Sequence, residues 1–92
     1  MSEGRAVDTP RIVTVGDNVV DCYPELGHMY PGGNAVNVAV NIARLGEASS
    51  YVGAVGTDDA GTLIKSSLVA EGVDCSRLRV VEGANARAWV RV

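Results

Sequence analysis

Apolar and polar positions along this chain follow two different periods, and each change of period marks an element. Arg11-Ile12-Val13-Thr14-Val15-Gly16 is a short β-branched run closed by glycine, the pattern of a strand buried on both faces of a parallel sheet. It is expected to be the central strand. Val19 to Tyr23 is a second extended piece stopped by Pro24. Glu25-Leu26-Gly27 then turns the chain back through His28, Met29 and Tyr30, which predicts a small hairpin standing off the sheet. Residues 1–10 carry no periodicity and are read as a flexible tail.

Pro31-Gly32-Gly33 breaks the chain, and from Asn34 to Leu45 no Pro or Gly interrupts it until Gly46, so the spacing predicts a helix with a glycine stop. Its apolar positions, Ala35, Val36, Val38, Ala39, Val40, Ile42, Ala43 and Leu45, run nearly all round. Asn34, Asn37, Asn41 and Arg44 form one narrow stripe. That pattern predicts a buried helix with a polar seam, in which each buried amide needs a protein, water or ligand partner. Ser49 to Val55 reads as the next strand. A second, amphipathic helix follows over about Ala60 to Glu71, capped by Thr57 or Asp58 and stopped by Gly72, with Leu63, Ile64, Ser67 and Leu68 facing inward. Val73 to Ser76 is expected to be a linker and Leu78 to Val81 a short strand. Glu82-Gly83-Ala84-Asn85 is a turn, and Ala86 to Val92 alternates with period two. Ala86, Ala88, Val90 and Val92 share one face, while Arg87, Trp89 and Arg91 share the other. A chain that ends inside such a pattern, with two helices and much apolar surface, is expected to be the amino-terminal piece of a longer protein.

Composition narrows the function classes. With 47% hydrophobic residues, no Phe and 11 glycines among 92 residues, the core must be aliphatic, which suits an α/β sheet covered by helices. A net charge of −3 with scattered basic residues argues against nucleic acid or an anionic membrane as partner. No apolar run approaches the roughly 20 residues of a membrane span, and the amino terminus is unlike a signal peptide. Cys22 and Cys75 lie far apart with no CxxC, and His28 is the only histidine, so spacing assembles no metal set. Two free thiols point to the cytoplasm. Asp58-Asp59 is explained by helix capping.

The constellation that carries chemistry is Asp21 together with Gly32-Gly33 at the start of the first helix. The glycines let a ligand approach unpaired backbone N–H groups at the positive end of the helix dipole. No Lys or Arg stands beside the turn, so neutral hydroxyls fit better than phosphate. Asp21 as acceptor, glycine N–H groups as donors and Asn34 or Asn37 as both suit a polyol or sugar. The same residues also read as a tight turn, an ordinary turn carboxylate and a satisfied core amide. Neither a Walker loop nor a GxGxxG fingerprint is present. Arg87, Trp89 and Arg91 read as an outer strand face, with Arg87 the one that could reach a ligand.

The run Gly32-Gly33-Asn34-Ala35-Val36-Asn37-Val38-Ala39-Val40-Asn41-Ile42-Ala43-Arg44-Leu45-Gly46 resembles the amino-terminal signature of the ribokinase-like, or phosphofructokinase-B, carbohydrate kinases. Gly16-Asp17-Asn18-Val19-Val20-Asp21, Val52 through Gly61 and Gly72-Val73-Asp74 follow in the matching order, so the resemblance covers nearly all of residues 11–92. Within the family the pattern is most similar to fructoselysine and fructosamine kinases, which phosphorylate a sugar joined to an amino acid. The resemblance implies a Rossmann-like ribokinase fold, a parallel sheet with flanking helices, and a small β lid built from about 19–30 and 86–92. It implies ATP-dependent phosphoryl transfer to a sugar hydroxyl, with ATP and Mg2+ serving the complete enzyme and a homodimer formed through the lid. Asp21, Gly32, Gly33 and Asn37 match sugar-binding positions. Asn34 stands where ribokinases carry Lys. The catalytic Asp of a Gly-Ala-Gly-Asp-like anion hole is expected downstream of Val92, as is the ATP pocket, so the chain alone should be inactive. A non-catalytic ligand-binding or interaction module, and a nucleoside kinase of the same fold, stand as alternatives.

Overall fold

The computed structural model describes residues 11–91. The tail expected over 1–10 and the place of Val92 in the last strand lie outside the described residues. In chain order the elements are β1 (Arg11–Val15), β2 (Val19–Tyr23), β3 (His28–Gly32), α1 (Asn34–Arg44), β4 (Ala48–Val52), β5 (Ala54–Gly56), α2 (Asp59–Ala70), β6 (Arg79–Val81) and β7 (Arg87–Trp89). Parallel pairs β1–β4 and β5–β6 form the body. A separate three-stranded sheet has the order β3-β2-β7.

The body is built by short crossovers. β1 pairs with β4 in parallel, Val13 opposite Ser50, and the intervening hairpin and α1 make the connection. α1 lies on β1 and β4 and α2 on β5 and the back of the small sheet. Between them Val20, Cys22, Val36, Ala39, Tyr51, Val55, Ala60, Ile64, Leu68 and Val73 form one buried cluster. The cluster is aliphatic except for Tyr51 and Cys22, as the lack of Phe requires. Both helices stop as their sequences predict, with Gly46 at φ +89° and Gly72 at φ +84°, a backbone region that only glycine enters without cost. Asp58 caps α2 by accepting from the Gly61 N–H at 3.0 Å.

Several expectations need correction. β1 is not buried on both faces: Val15 is 73% exposed, and Ile12 and Val13 are exposed too. Among the described residues β1 pairs only with β4, so its β-branched run has cover on one side only. For the same reason α1 is not buried all round. Only Val36 and Ala39 are buried along it, the i, i+3 pair that meets the sheet, while Asn34, Asn37, Asn41, Arg44 and Val38 are exposed. The strand expected over 49–55 is two strands. Tyr51 turns its ring across Gly53, so no side chain fits there, and the chain leaves β1 to pair with β6. The 73–76 linker is half a strand, since Asp74 bridges Ser50 in parallel and exchanges backbone bonds with Ser49 and Tyr51. Pro31-Gly32 continues β3 rather than breaking it, because an edge strand tolerates Pro. β7 is shorter than its alternation suggests. It pairs in parallel with β2, Asp21 opposite Ala88.

Candidate functional site

The turn from the small sheet into α1 gathers Asp21, Gly32 and Gly33. Gly32 ends β3 opposite Val19, two pairs along from Asp21 and Tyr30 and so on the same face of the small sheet. A Cβ on Gly32 would stand 2.9 Å from Asp21 Oδ2, so the carboxylate occupies the space that a side chain would need. Gly33 is the N-cap of α1 at φ +100°, and a Cβ there would lie 2.9 Å from Asn18 Cα and 3.0 Å from the Asp17 carbonyl oxygen. Steric closeness and backbone conformation therefore both demand glycine. No side chain caps α1 and no acidic residue sits in its first turn, which leaves donors and the dipole's positive end facing outward beside a half-buried carboxylate.

The other anticipated residues are arranged less tightly. Asn37 lines a hollow of about 500 Å3 with Pro31, Val40, Asn41, Arg44, Ser67 and Glu71. Asn34 lines another of about 370 Å3 with Thr14, Asp17 and Val38. The two amides thus leave the same helical turn in different directions. Arg87 is paired in register with Val20, on the face of the small sheet opposite Asp21. Its guanidinium donates to Asp58 Oδ2 at 3.1 Å and reaches the Met29 sulfur at 3.6 Å.

Sequence reasoning missed a buried polar knot behind this turn. Asn18, 8% exposed, and Asn85, 6% exposed, share a hydrogen bond of 2.9 Å from Asn85 Nδ2 to Asn18 Oδ1. Asn18 Nδ2 donates to the Ala54 carbonyl at 2.8 Å and the Tyr51 hydroxyl at 3.1 Å. That hydroxyl donates to the Gly16 carbonyl at 2.7 Å. Asn85 Oδ1 accepts from the Gly56 N–H at 2.9 Å, and its own N–H donates to Asp58. In sequence both asparagines are ordinary turn residues, and no spacing links them. A concavity of about 450 Å3 opens over this knot at the carboxyl ends of β1, β5 and β6, edged by Asp17 and Glu82. Ligands of open α/β sheets sit at such ends.

Electrostatics follow from these contacts. The Gly61 N–H bond, helped by Arg87 and the Asn85 N–H, holds the Asp58 carboxyl below the usual carboxylate range. Burial raises the Tyr51 hydroxyl above its ordinary value and does the same to the Cys75 thiol. Arg44 forms a two-point ion pair with Glu71, at 2.8 and 2.6 Å, which lowers the Glu71 carboxyl. Among the described residues no group of three His, Cys, Asp or Glu side chains could hold a metal ion, and no helix is long and apolar enough to cross a membrane. The site can bind hydroxyls through a carboxylate, amides and backbone donors.

A family profile described as pfkB family carbohydrate kinase matches residues 7–90. The chain belongs to that family. Its pfkB sequence is 46% identical over 80 residues to fructosamine kinase FrlD of Bacillus subtilis (strain 168), covering 87% of this chain and 28% of that protein. It is 43% identical over 81 residues to fructoselysine 6-kinase of Escherichia coli (strain K12), covering 88% and 31%. The structure is similar to that of aminoimidazole riboside kinase from Salmonella enterica complexed with aminoimidazole riboside and an ATP analog. The TM-score is 0.81 and the identity 34%, over 88% of this chain and 29% of that one. Fructokinase with bound ATP from Xylella fastidiosa matches with a TM-score of 0.80 and 28% identity, over 89% and 29%. The body is therefore the ribokinase-like α/β arrangement. The chain spans under a third of the length of these relatives.

Proposed function

We propose that this chain carries the sugar-binding part of an ATP-dependent carbohydrate kinase, which transfers the γ-phosphoryl group of ATP to a hydroxyl of a fructosamine such as fructoselysine. The observation that carries the reading is the Asp21 carboxylate lying over Gly32 beside the uncapped start of α1. Asp21 accepts hydrogen bonds from sugar hydroxyls, the N–H groups of the first turn of α1 donate to them, and Asn37 does either. The small sheet β3-β2-β7 serves as a lid that closes over the sugar and excludes water. Pairing of two copies through that lid belongs to the same reading, and light scattering checks it. A cytoplasmic location fits the two free thiols, Cys22 and Cys75.

Among the described residues no three His, Cys, Asp or Glu side chains gather as metal ligands, and the guanidinium groups of Arg44 and Arg87 are paired with carboxylates. In this reading the nucleotide, Mg2+ and the catalytic Asp belong to parts of the complete enzyme outside these residues. The test is ATP-dependent phosphorylation by the full-length gene product of a panel holding fructoselysine, fructose and a riboside. The riboside stays in the panel because a riboside kinase is among the similar structures. Turnover on fructoselysine is expected. Absence of turnover on every compound overturns the kinase reading and favours a non-catalytic binding module.

A further inference from the structure

The chain has only three Tyr and one Trp and no Phe, and it spends just one of these aromatic residues, Tyr51, on the buried core. Tyr23, Tyr30 and Trp89 all lie on the small sheet. Strand register sorts them by face. Asp21 is opposite Tyr30 and Tyr23 is opposite His28, and residues two apart share a side of a strand. Asp21, Tyr23, Tyr30, His28 and Gly32 therefore stand on one face. Trp89, paired with Cys22, stands on the other.

On that face the rings are in contact with one another. Tyr23 and Tyr30 meet edge to face, with centroids 5.6 Å apart and planes at 77°, and the His28 ring lies 6.0 Å from Tyr30. Tyr30 is 49% exposed, so its surface is open to a ligand. The face reads in order from the start of α1: Gly32, then Asp21 with Tyr30, then Tyr23 with His28. Successive pairs are about 7 Å apart along the strands. One end offers a carboxylate and backbone donors, which suit hydroxyls. The next offers aromatic faces beside that carboxylate, which suit an organic cation.

We infer that Tyr30, with Tyr23 bracing it, is a specificity-determining surface for the protonated amine of an amine-linked sugar. The sugar hydroxyls meet Asp21 and Gly32 while the ammonium group lies against the Tyr30 ring. This inference rests on the kinase reading above and adds to it the reason an amine-bearing sugar is preferred over the bare one. Tyr23 acts through Tyr30 and is a positioning residue.

The experiment compares the full-length protein with its Tyr30→Leu, Tyr30→Phe and Tyr23→Leu variants, measuring kcat and KM for fructoselysine and for fructose. Tyr30→Leu is expected to raise KM for fructoselysine about tenfold, within the range of cation–π contributions, with kcat and the values for fructose unchanged. Tyr30→Phe keeps the ring and is expected to behave as the unaltered protein, and Tyr23→Leu is expected to show a smaller rise on fructoselysine alone. Equal losses on both sugars, no loss on either, or turnover of fructose alone by the unaltered protein overturns the inference and leaves the kinase reading standing. An equal loss accompanied by a change in light-scattering mass reassigns the face to contact between copies. Absence of turnover on any sugar by the unaltered protein overturns the kinase reading itself, and this inference with it.

Discussion

Two polar clusters lie on either side of Gly33, and they differ in who satisfies them. Behind the glycine, Asn18, Asn85, Tyr51 and Asp58 spend their hydrogen bonds on one another and on backbone groups from four different segments. In front of it, Asp21 and the uncapped first turn of α1 face outward, with Asn34 and Asn37 exposed. A buried amide left unpaired costs about 1–3 kcal/mol, so the rear cluster has to be closed within the protein. The front cluster carries no such demand. The closed knot holds the loop 16–18 against Gly33, and that loop fixes where the open cluster points. Polarity alone does not mark a site; polarity left for a partner does.

This contrast can be broken at its base. Gly61 packs on Gly56 so closely that a Cβ would run into the Gly56 backbone. Gly61→Ala is expected to cost about 3 kcal/mol, as overpacking against backbone does, and to lower Tm more than any other change here. Asn85→Ala strands both the Gly56 N–H and Asn18 Oδ1. It is expected to cost about 2 kcal/mol, read from urea unfolding, and an unchanged midpoint would mean the knot is not closed.

On the open side the signature reverses. Asp21→Ala in the complete enzyme is expected to weaken sugar binding about tenfold, the scale of a lost charged hydrogen bond, while Tm stays put. Calorimetric titration checks it, and unchanged affinity removes Asp21 from the site. The smallest effect concerns acid. Asp58 titrates below its unfolded value, held there first by the Gly61 N–H. Its contribution is therefore complete above the unfolded carboxylate value and is lost as pH falls through the depressed folded one. Asp58→Asn should flatten the acid limb of Tm against pH, below the unfolded carboxylate range. Some slope remains, because Glu71 and Asp74 are depressed as well, chiefly by Arg44 and by the Ser76 N–H.

Residue pattern alone determined the two helices, their glycine stops, a cap at Thr57 or Asp58 and a hairpin over 19–30, because each depends on neighbours within a few positions; the structure chose Asp58 as the cap and carried the hairpin on to Gly32. It also singled out Asp21, Gly32 and Gly33 as a candidate site, although spacing alone left a tight turn and an ordinary turn carboxylate as equal readings. The burial of β1 and α1 was overestimated, because apolar periodicity reports which faces can be covered and only tertiary contacts report which are. The Asn18–Asn85 bond joins residues far apart in the chain, and the parallel pairing of β7 with β2 likewise depends on chain reversal through the whole body. So does the turning of Arg87 toward Asp58 and away from Asp21. Sequence supplied the glycine turn and its carboxylate. Packing alone decided which polar groups close on one another and which stay open, because that depends on distances between segments that no local spacing encodes.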